Sequence, residues 1–204
     1  MLRIGLTGGV ACGKSTVGAM LAERGAHYLQ ADTLAHQLYA PGTETYNAVL
    51  RTFGRDTVNP DGSINRSKLA NAAFPARIGE LNAIVHPAVV AAQNKWMTEV
   101  ERTAPNGVAI VEAALLVEAG ATKDFDKLIV VTCNLEQKVE RYARRAKTSL
   151  DEARAEVLRR SAAQMPDEEK AKRGDYVIDN SGSIDDTTRQ VDAIWAELRQ
   201  NSAH

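Results

Sequence analysis

Gly8-Gly9-Val10-Ala11-Cys12-Gly13-Lys14-Ser15 matches the pattern G-x-x-x-x-G-K-[ST], and its flanks decide how the chain is read. Residues 2–6 form a short apolar run suited to a buried strand, and residues 16–24 carry a helical pattern. Strand, glycine-rich turn and helix in that order make a phosphate-binding loop. Glycines let the backbone curl so that successive N–H groups point inward, and the helix N-terminus adds partial positive charge. Gly9, Val10, Ala11, Cys12, Gly13, Lys14, Ser15 and Thr16 are the candidate contacts to the phosphates of ATP. Lys14 is expected to reach the β- and γ-phosphates, and Ser15 to place its hydroxyl on a Mg²⁺ held between them.

Working outward, residues 26–29 read as a second strand, and Asp32 stands where that strand gives way to a helix over 33–40. Ligands of open α/β sheets bind beyond the carboxyl ends of the strands, which makes Asp32 a candidate site residue. A plain N-cap is the alternative. From 41 to 106 the pattern is helical, broken at Asn59-Pro60-Asp61-Gly62-Ser63 and at His86-Pro87, with no strand-like run. Such a length exceeds a simple crossover and predicts a helical insertion beside the sheet. Taken alone, Arg66 and Lys68 read as solvated surface, and His86 as a capping or core histidine.

Val108-Ala109-Ile110-Val111-Glu112 reads as a buried strand ending in an acid, an arrangement in which a carboxylate holds Mg²⁺ or its water. Residues 127–133 form another buried strand, with Cys133 as a small packed hydrophobe. Residues 137–173 carry eleven Lys/Arg against seven Asp/Glu, whereas the remainder of the chain is net acidic. Helical patterns over 135–146 and 150–163 put Arg141 and Arg145 on one face, with Arg159 and Arg160 on the second helix. A helical hairpin offering guanidinium groups to a phosphate site acts as a lid, and a solvated charged face is the alternative. Tyr176-Val177-Ile178-Asp179 reads as the last strand, and the loop after it, with Asn180 and Gly182, is placed for a purine ring. A closing amphipathic helix follows over 184–200.

The fold expected is α/β: a P-loop NTPase core with a parallel sheet flanked by helices, a helical acceptor-side insertion and a helical lid. The 204 residues read as one domain, with its core over about 1–40, 107–136 and 174–200, the insertion over about 41–106 and the lid over about 137–173. A formal net charge of −1 offers no broad basic field, so neither nucleic acid nor an anionic membrane is expected as a partner. No run approaches a membrane span, no leader pattern opens the chain, and the two cysteines lack metal-ligand spacing; a cytoplasmic protein is expected. Cys12 lies at a helix N-terminus near Lys14, features that lower a thiol pKa, so it is expected to react before Cys133 unless it is buried.

With these features in order, the chain resembles the dephospho-coenzyme A kinases over nearly its whole length. The resemblance rests on residues 6–15, on Ala31-Asp32-Thr33-Leu34-Ala35-His36 with Pro41-Gly42, and on Asp61-Gly62-Ser63-Ile64-Asn65-Arg66 with Leu69. It also rests on Leu81-Asn82-Ala83-Ile84-Val85-His86-Pro87, and on Tyr176-Val177-Ile178-Asp179-Asn180 with Gly182. It implies ATP-dependent phosphorylation of the ribose 3′-hydroxyl of dephospho-coenzyme A. It further implies Asp32 as general base, acceptor contacts from Asp32, His36, Arg66, Lys68, His86 and Glu118, and Arg141 and Arg145 as lid arginines. Where the family strand ends Asp-x-Pro-Leu-Leu-Phe-Glu, this chain has Glu112-Ala113-Ala114-Leu115-Leu116-Val117-Glu118, and where the family lid has Arg-Asp-Gly it has Arg145-Ala146-Lys147. A nucleoside monophosphate kinase would share the same core and lid. A GTPase switch would need an Asn-Lys-x-Asp element, which the chain lacks after its apolar strands.

Overall fold

A computed structural model describes residues 1–202, apart from the side chains of Ala35 and His36. Five strands, β1 (Leu2–Gly8), β2 (His27–Gln30), β3 (Val108–Glu112), β4 (Lys127–Thr132) and β5 (Tyr176–Asp179), form one sheet in the order β2-β3-β1-β4-β5. Every neighbouring pair is parallel, so all five carboxyl ends lie along one edge. The strand that feeds the phosphate loop sits in the middle.

Strands of a parallel sheet covered on both faces read as continuous apolar runs, and β3 and β4 do so. Their side chains still alternate between two cores. Ile129 and Val131 of β4 join Ile4, Leu6 and Ile110 under α1 (Lys14–Glu23) and α9 (Ile184–Ser202), the latter burying Val191, Ile194 and Leu198. Leu128 and Val130 face the opposite way, against Leu116, Val117 and Phe125. All these side chains but Phe125 are nearly or fully buried, at roughly 1.5–3 kcal/mol each on the usual transfer scale.

The two helices expected over 135–146 and 150–163 form. α6 (Leu135–Ala146) is capped by Asn134, and α7 (Leu150–Ala162) by a Ser149–Glu152 capping box. Val139 and Ala143 of α6 meet Ala153 and Val157 of α7, and Val10 of the phosphate loop completes that cluster. A short helix, α8 (Asp167–Ala171), returns the chain to β5.

The chain divides into two compact units, Met1–Gln30 with Val100–His204, and Ala31–Glu99. The second unit contains α2 (Ala31–Leu38), α3 (Glu44–Phe53), α4 (Arg66–Ala73) and most of α5 (Ile78–Thr103). Val49, Phe53, Ile64, Leu69 and Ala73 form its core. The turn expected at 59–63 is present, closed by Asn59 N–H to the Ser63 carbonyl at 2.8 Å and by an isolated antiparallel bridge between Val58 and Ile64.

Two local expectations are corrected. The helix break at His86-Pro87 is absent, because Pro87 lies inside the 26-residue α5. A proline there removes one backbone donor and costs about 3 kcal/mol, yet the helix continues through it. Asp32 is not an N-cap: α2 begins at Ala31, which puts Asp32 inside its first turn.

Candidate active site

The phosphate loop has the backbone its sequence demands. Gly13 adopts φ +93° as α1 begins, and a Cβ there would collide with the Asn180 amide, so neither conformation nor space admits another residue. The Lys14 ammonium donates to the carbonyls of Gly8 at 3.1 Å and Gly9 at 2.9 Å, stretching back across the loop. Ser15 and Thr16 are exposed in the first turn of α1, which contains no acid. Amide donors, the helix terminus and the Lys14 charge therefore gather at the end of the central strand, where an anion is stabilised.

A buried clasp holds the loop from behind. Asn180, 4% exposed, donates from its side-chain amide to the Cys12 carbonyl at 2.8 Å and accepts from the Thr187 hydroxyl at 2.7 Å. Arg141 donates to the Asn180 carbonyl at 2.8 Å, to the Cys12 carbonyl at 3.3 Å and to the Cys133 sulfur at 3.4 Å. Thus Arg141 and Asn180 come together at the loop, and the Asn180 amide is committed to backbone. Arg145 differs: it is exposed, 5.5 Å over the Tyr142 ring, which Arg160 also approaches at 5.5 Å.

Glu112 ends β3, in register with Gln30 of β2 and Leu6 of β1. The Tyr28 hydroxyl donates to its carboxylate and accepts from the Gln30 amide at 2.8 Å. Burial, helped by the bond to Glu112, pushes the Tyr28 phenol above its ordinary range, so it remains a donor at any working pH. Glu118 accepts from Lys170 at 2.9 Å and from the Met165 amide at 2.9 Å. Lys170 is fully buried, and its ammonium also donates to the Ala114 carbonyl at 3.0 Å.

In the second unit, Asp32, Arg66, Lys68 and His86 are all exposed. His86 is therefore neither a core nor a capping histidine, while the Asn65 side chain caps α4 through the Lys68 amide at 2.9 Å. Arg66 acts on the Tyr39 phenol, which burial nonetheless raises above its ordinary range. The His36 side chain lies outside the described residues.

Cys12 is corrected. Although Lys14 pulls its thiol pKa down, burial pushes it up further, and the side chain is 0% exposed. Cys133 is raised as well, again mainly by burial. Alkylation of the folded protein, followed by mass spectrometry, is expected to modify both cysteines at least about tenfold more slowly than in urea, because the thiolate is the nucleophile. Preferential labelling of Cys12 would contradict this.

Sequence reading did not single out Lys138, Asp167, Lys170, Thr187 or Tyr28. The signals available were weak: a lysine and an acid in a charged segment, and a tyrosine in a strand. Among the described residues no helix is long and apolar enough to cross a membrane.

The dephospho-CoA kinase family model matches residues 2–186. The chain belongs to the dephospho-CoA kinase family. An Aquifex aeolicus (strain VF5) protein named dephospho-CoA kinase is 42% identical over 207 residues, spanning 98% of this chain and 100% of that protein. A crystal structure from Thermus thermophilus superposes with a TM-score of 0.79 at 36% identity, covering 97% of each chain. A Campylobacter jejuni dephospho-CoA kinase structure has the same fold, with a TM-score of 0.70 at 24% identity over 98% of each chain. Dephospho-CoA kinases catalyse the last step of coenzyme A biosynthesis, phosphorylating the ribose 3′-hydroxyl of dephospho-coenzyme A. As a P-loop kinase this chain is a nucleotide-using phosphotransferase.

Proposed function

We propose that the phosphate loop binds ATP, and that Asp32 serves as base while the γ-phosphoryl group passes to the 3′-hydroxyl of dephospho-coenzyme A. The loop carries this reading: residues 9–16 offer backbone donors at a helix N-terminus, with the Lys14 ammonium held against the carbonyls of Gly8 and Gly9. The ribose oxygen forms the new bond to phosphorus as the bond to the bridging oxygen of ADP breaks, and the hydroxyl proton goes to the Asp32 carboxylate. β2 ends at Gln30, two residues before Asp32, and open sheets take ligands beyond the carboxyl ends of their strands. Arg66, Lys68, His86, His36 and Glu118 are assigned to the acceptor, and the loop at Asn180 and Gly182 to the adenine.

Ser15 and Glu112 fit a Mg²⁺ site in the chemistry of their donors. A hydroxyl and a carboxylate are hard oxygen ligands, and Mg²⁺ commonly takes one or two protein oxygens, with phosphate and water completing the shell. When bound it would neutralise charge on the phosphate oxygens. Tyr28 would hold the Glu112 carboxylate in place.

ADP release from ATP, measured with dephospho-coenzyme A, AMP, CMP, adenosine and water, tests the reading. Acceleration by dephospho-coenzyme A alone is expected, whereas acceleration by AMP or CMP would favour a nucleoside monophosphate kinase. Arg141→Ala is expected to lower turnover about a hundredfold, the scale for losing a preorganised donor to the transition-state charge, with a smaller loss in ATP affinity. Arg145→Ala should share that pattern more weakly. Turnover unchanged in Arg145→Ala would make it a surface residue.

A further inference from the structure

Behind the phosphate loop lies an ion pair that the clasp does not use. Lys138 of α6 and Asp167, the first residue of α8, pair with side-chain exposures of 10% and 23%. The Asp167 carboxylate occupies the space that a Cβ on Gly9 would need, so the acid touches the loop itself. Both charges also act on the Cys12 thiol beneath the loop, alongside Lys14. A cavity of about 230 Å³ borders the pair, lined by Lys138, Asp167 and Gln164 among others.

A carboxylate against a loop that must accept a polyphosphate is a conflict. Its charge opposes the ligand unless a cation cancels it at close range. The structure assigns that task to Lys138: we propose that Lys138 is a positioning residue for phosphate binding, neutralising Asp167 so that Asp167 can brace Gly9 without repelling the nucleotide. The inference rests on the phosphate-loop reading and extends it to two residues outside the motif. A unit charge within about 10 Å of a bound polyphosphate, at an effective dielectric near 20, changes affinity by about tenfold.

The expected pattern is asymmetric, which a purely structural ion pair would not produce. ATP affinity, measured by titration calorimetry, should fall about tenfold in Lys138→Gln, where the acid is left uncancelled. It should stay within about twofold of the parent, or tighten, in Asp167→Asn, and the double variant should recover most of the loss. Lys138→Arg should restore binding. Thermal unfolding run in parallel separates folding from affinity, since both single variants leave one charge unpaired and lose stability together. Equal weakening of ATP binding in both single variants, or a double variant no better than Lys138→Gln, overturns the proposal. Should Lys138→Gln fail to fold, Asp167→Asn decides alone: weaker ATP binding in it overturns the proposal, and unchanged or tighter binding supports it. Lys14→Ala serves as control. If it binds ATP as tightly as the parent, the phosphate-loop reading fails; if only Lys138→Gln does, this inference fails alone.

Discussion

Asp32→Asn is expected to lower turnover of dephospho-coenzyme A by roughly 10²–10⁴-fold, about 3–5 kcal/mol of barrier, and to leave ATP affinity nearly unchanged. A sugar hydroxyl is a weak nucleophile at neutral pH, and Asn keeps the size and much of the hydrogen bonding of Asp while losing its basicity. The position of Asp32 sharpens the test. It is exposed in the first turn of α2 and does not cap the helix, so the structural cost of Asn is the lost interaction of a negative charge with the helix dipole, about 0.3–1 kcal/mol. That is too small to imitate a lost base. Steady-state kinetics with dephospho-coenzyme A, beside an unfolding curve, reads both quantities. Turnover near the parent rate would move the search for a base to Glu112.

Glu118→Ala is expected to destabilise the fold by about 3 kcal/mol or more, because it leaves the ammonium of Lys170 buried without its counter-ion. For a chain of this size that corresponds to a fall in Tm of roughly 6–12 °C. Burial alone would raise the Glu118 carboxyl, but the Lys170 bond, with help from the Met165 amide, holds it below its ordinary value. A carboxyl depressed in the folded state contributes stability above its unfolded pKa and loses it as pH falls through the folded value. The difference between parent and Glu118→Ala should accordingly shrink below about pH 4.5, the unperturbed carboxyl range, in urea unfolding across pH. An unchanged Tm with a raised KM for dephospho-coenzyme A would instead make Glu118 an acceptor contact alone.

The readable parts of the sequence were those where one local rule acts without competition. The loop motif, the apolar runs of β3, β4 and β5, and the helical patterns of α6 and α7 each set their own backbone, and the structure follows them. Pro87 misled because the helix runs on through it to Thr103, so a local breaker did not end the element. Cys12 could not be decided from sequence: the helix terminus and Lys14 are visible there, whereas the burial that reverses their effect comes from residues far along the chain, such as Val131 of β4 and Ile178 of β5. Asn180 was legible as a loop residue at the sheet edge, but its buried bonds to Cys12 and Thr187 were not. Lys138 and Asp167 sit in a segment rich in both charges, so nothing distinguished them from solvated neighbours until Gly9 appeared beside them.

The clasp behind the loop also sets an order of events during synthesis. Cys12 leaves the ribosome early, yet its carbonyl is held by Asn180, 168 residues later, and by Arg141, 129 residues later. The central strand likewise waits for β4 on one side and β3 on the other. Contacts so distant in sequence form late, after the entropy of closing the intervening chain has been overcome. A nascent chain therefore displays the complete motif long before that motif has its shape. The clasp on the loop is complete only when Asn180, after β5, and Thr187 of α9 have docked, so the last quarter of the chain finishes the shape of a motif that lies in its first tenth.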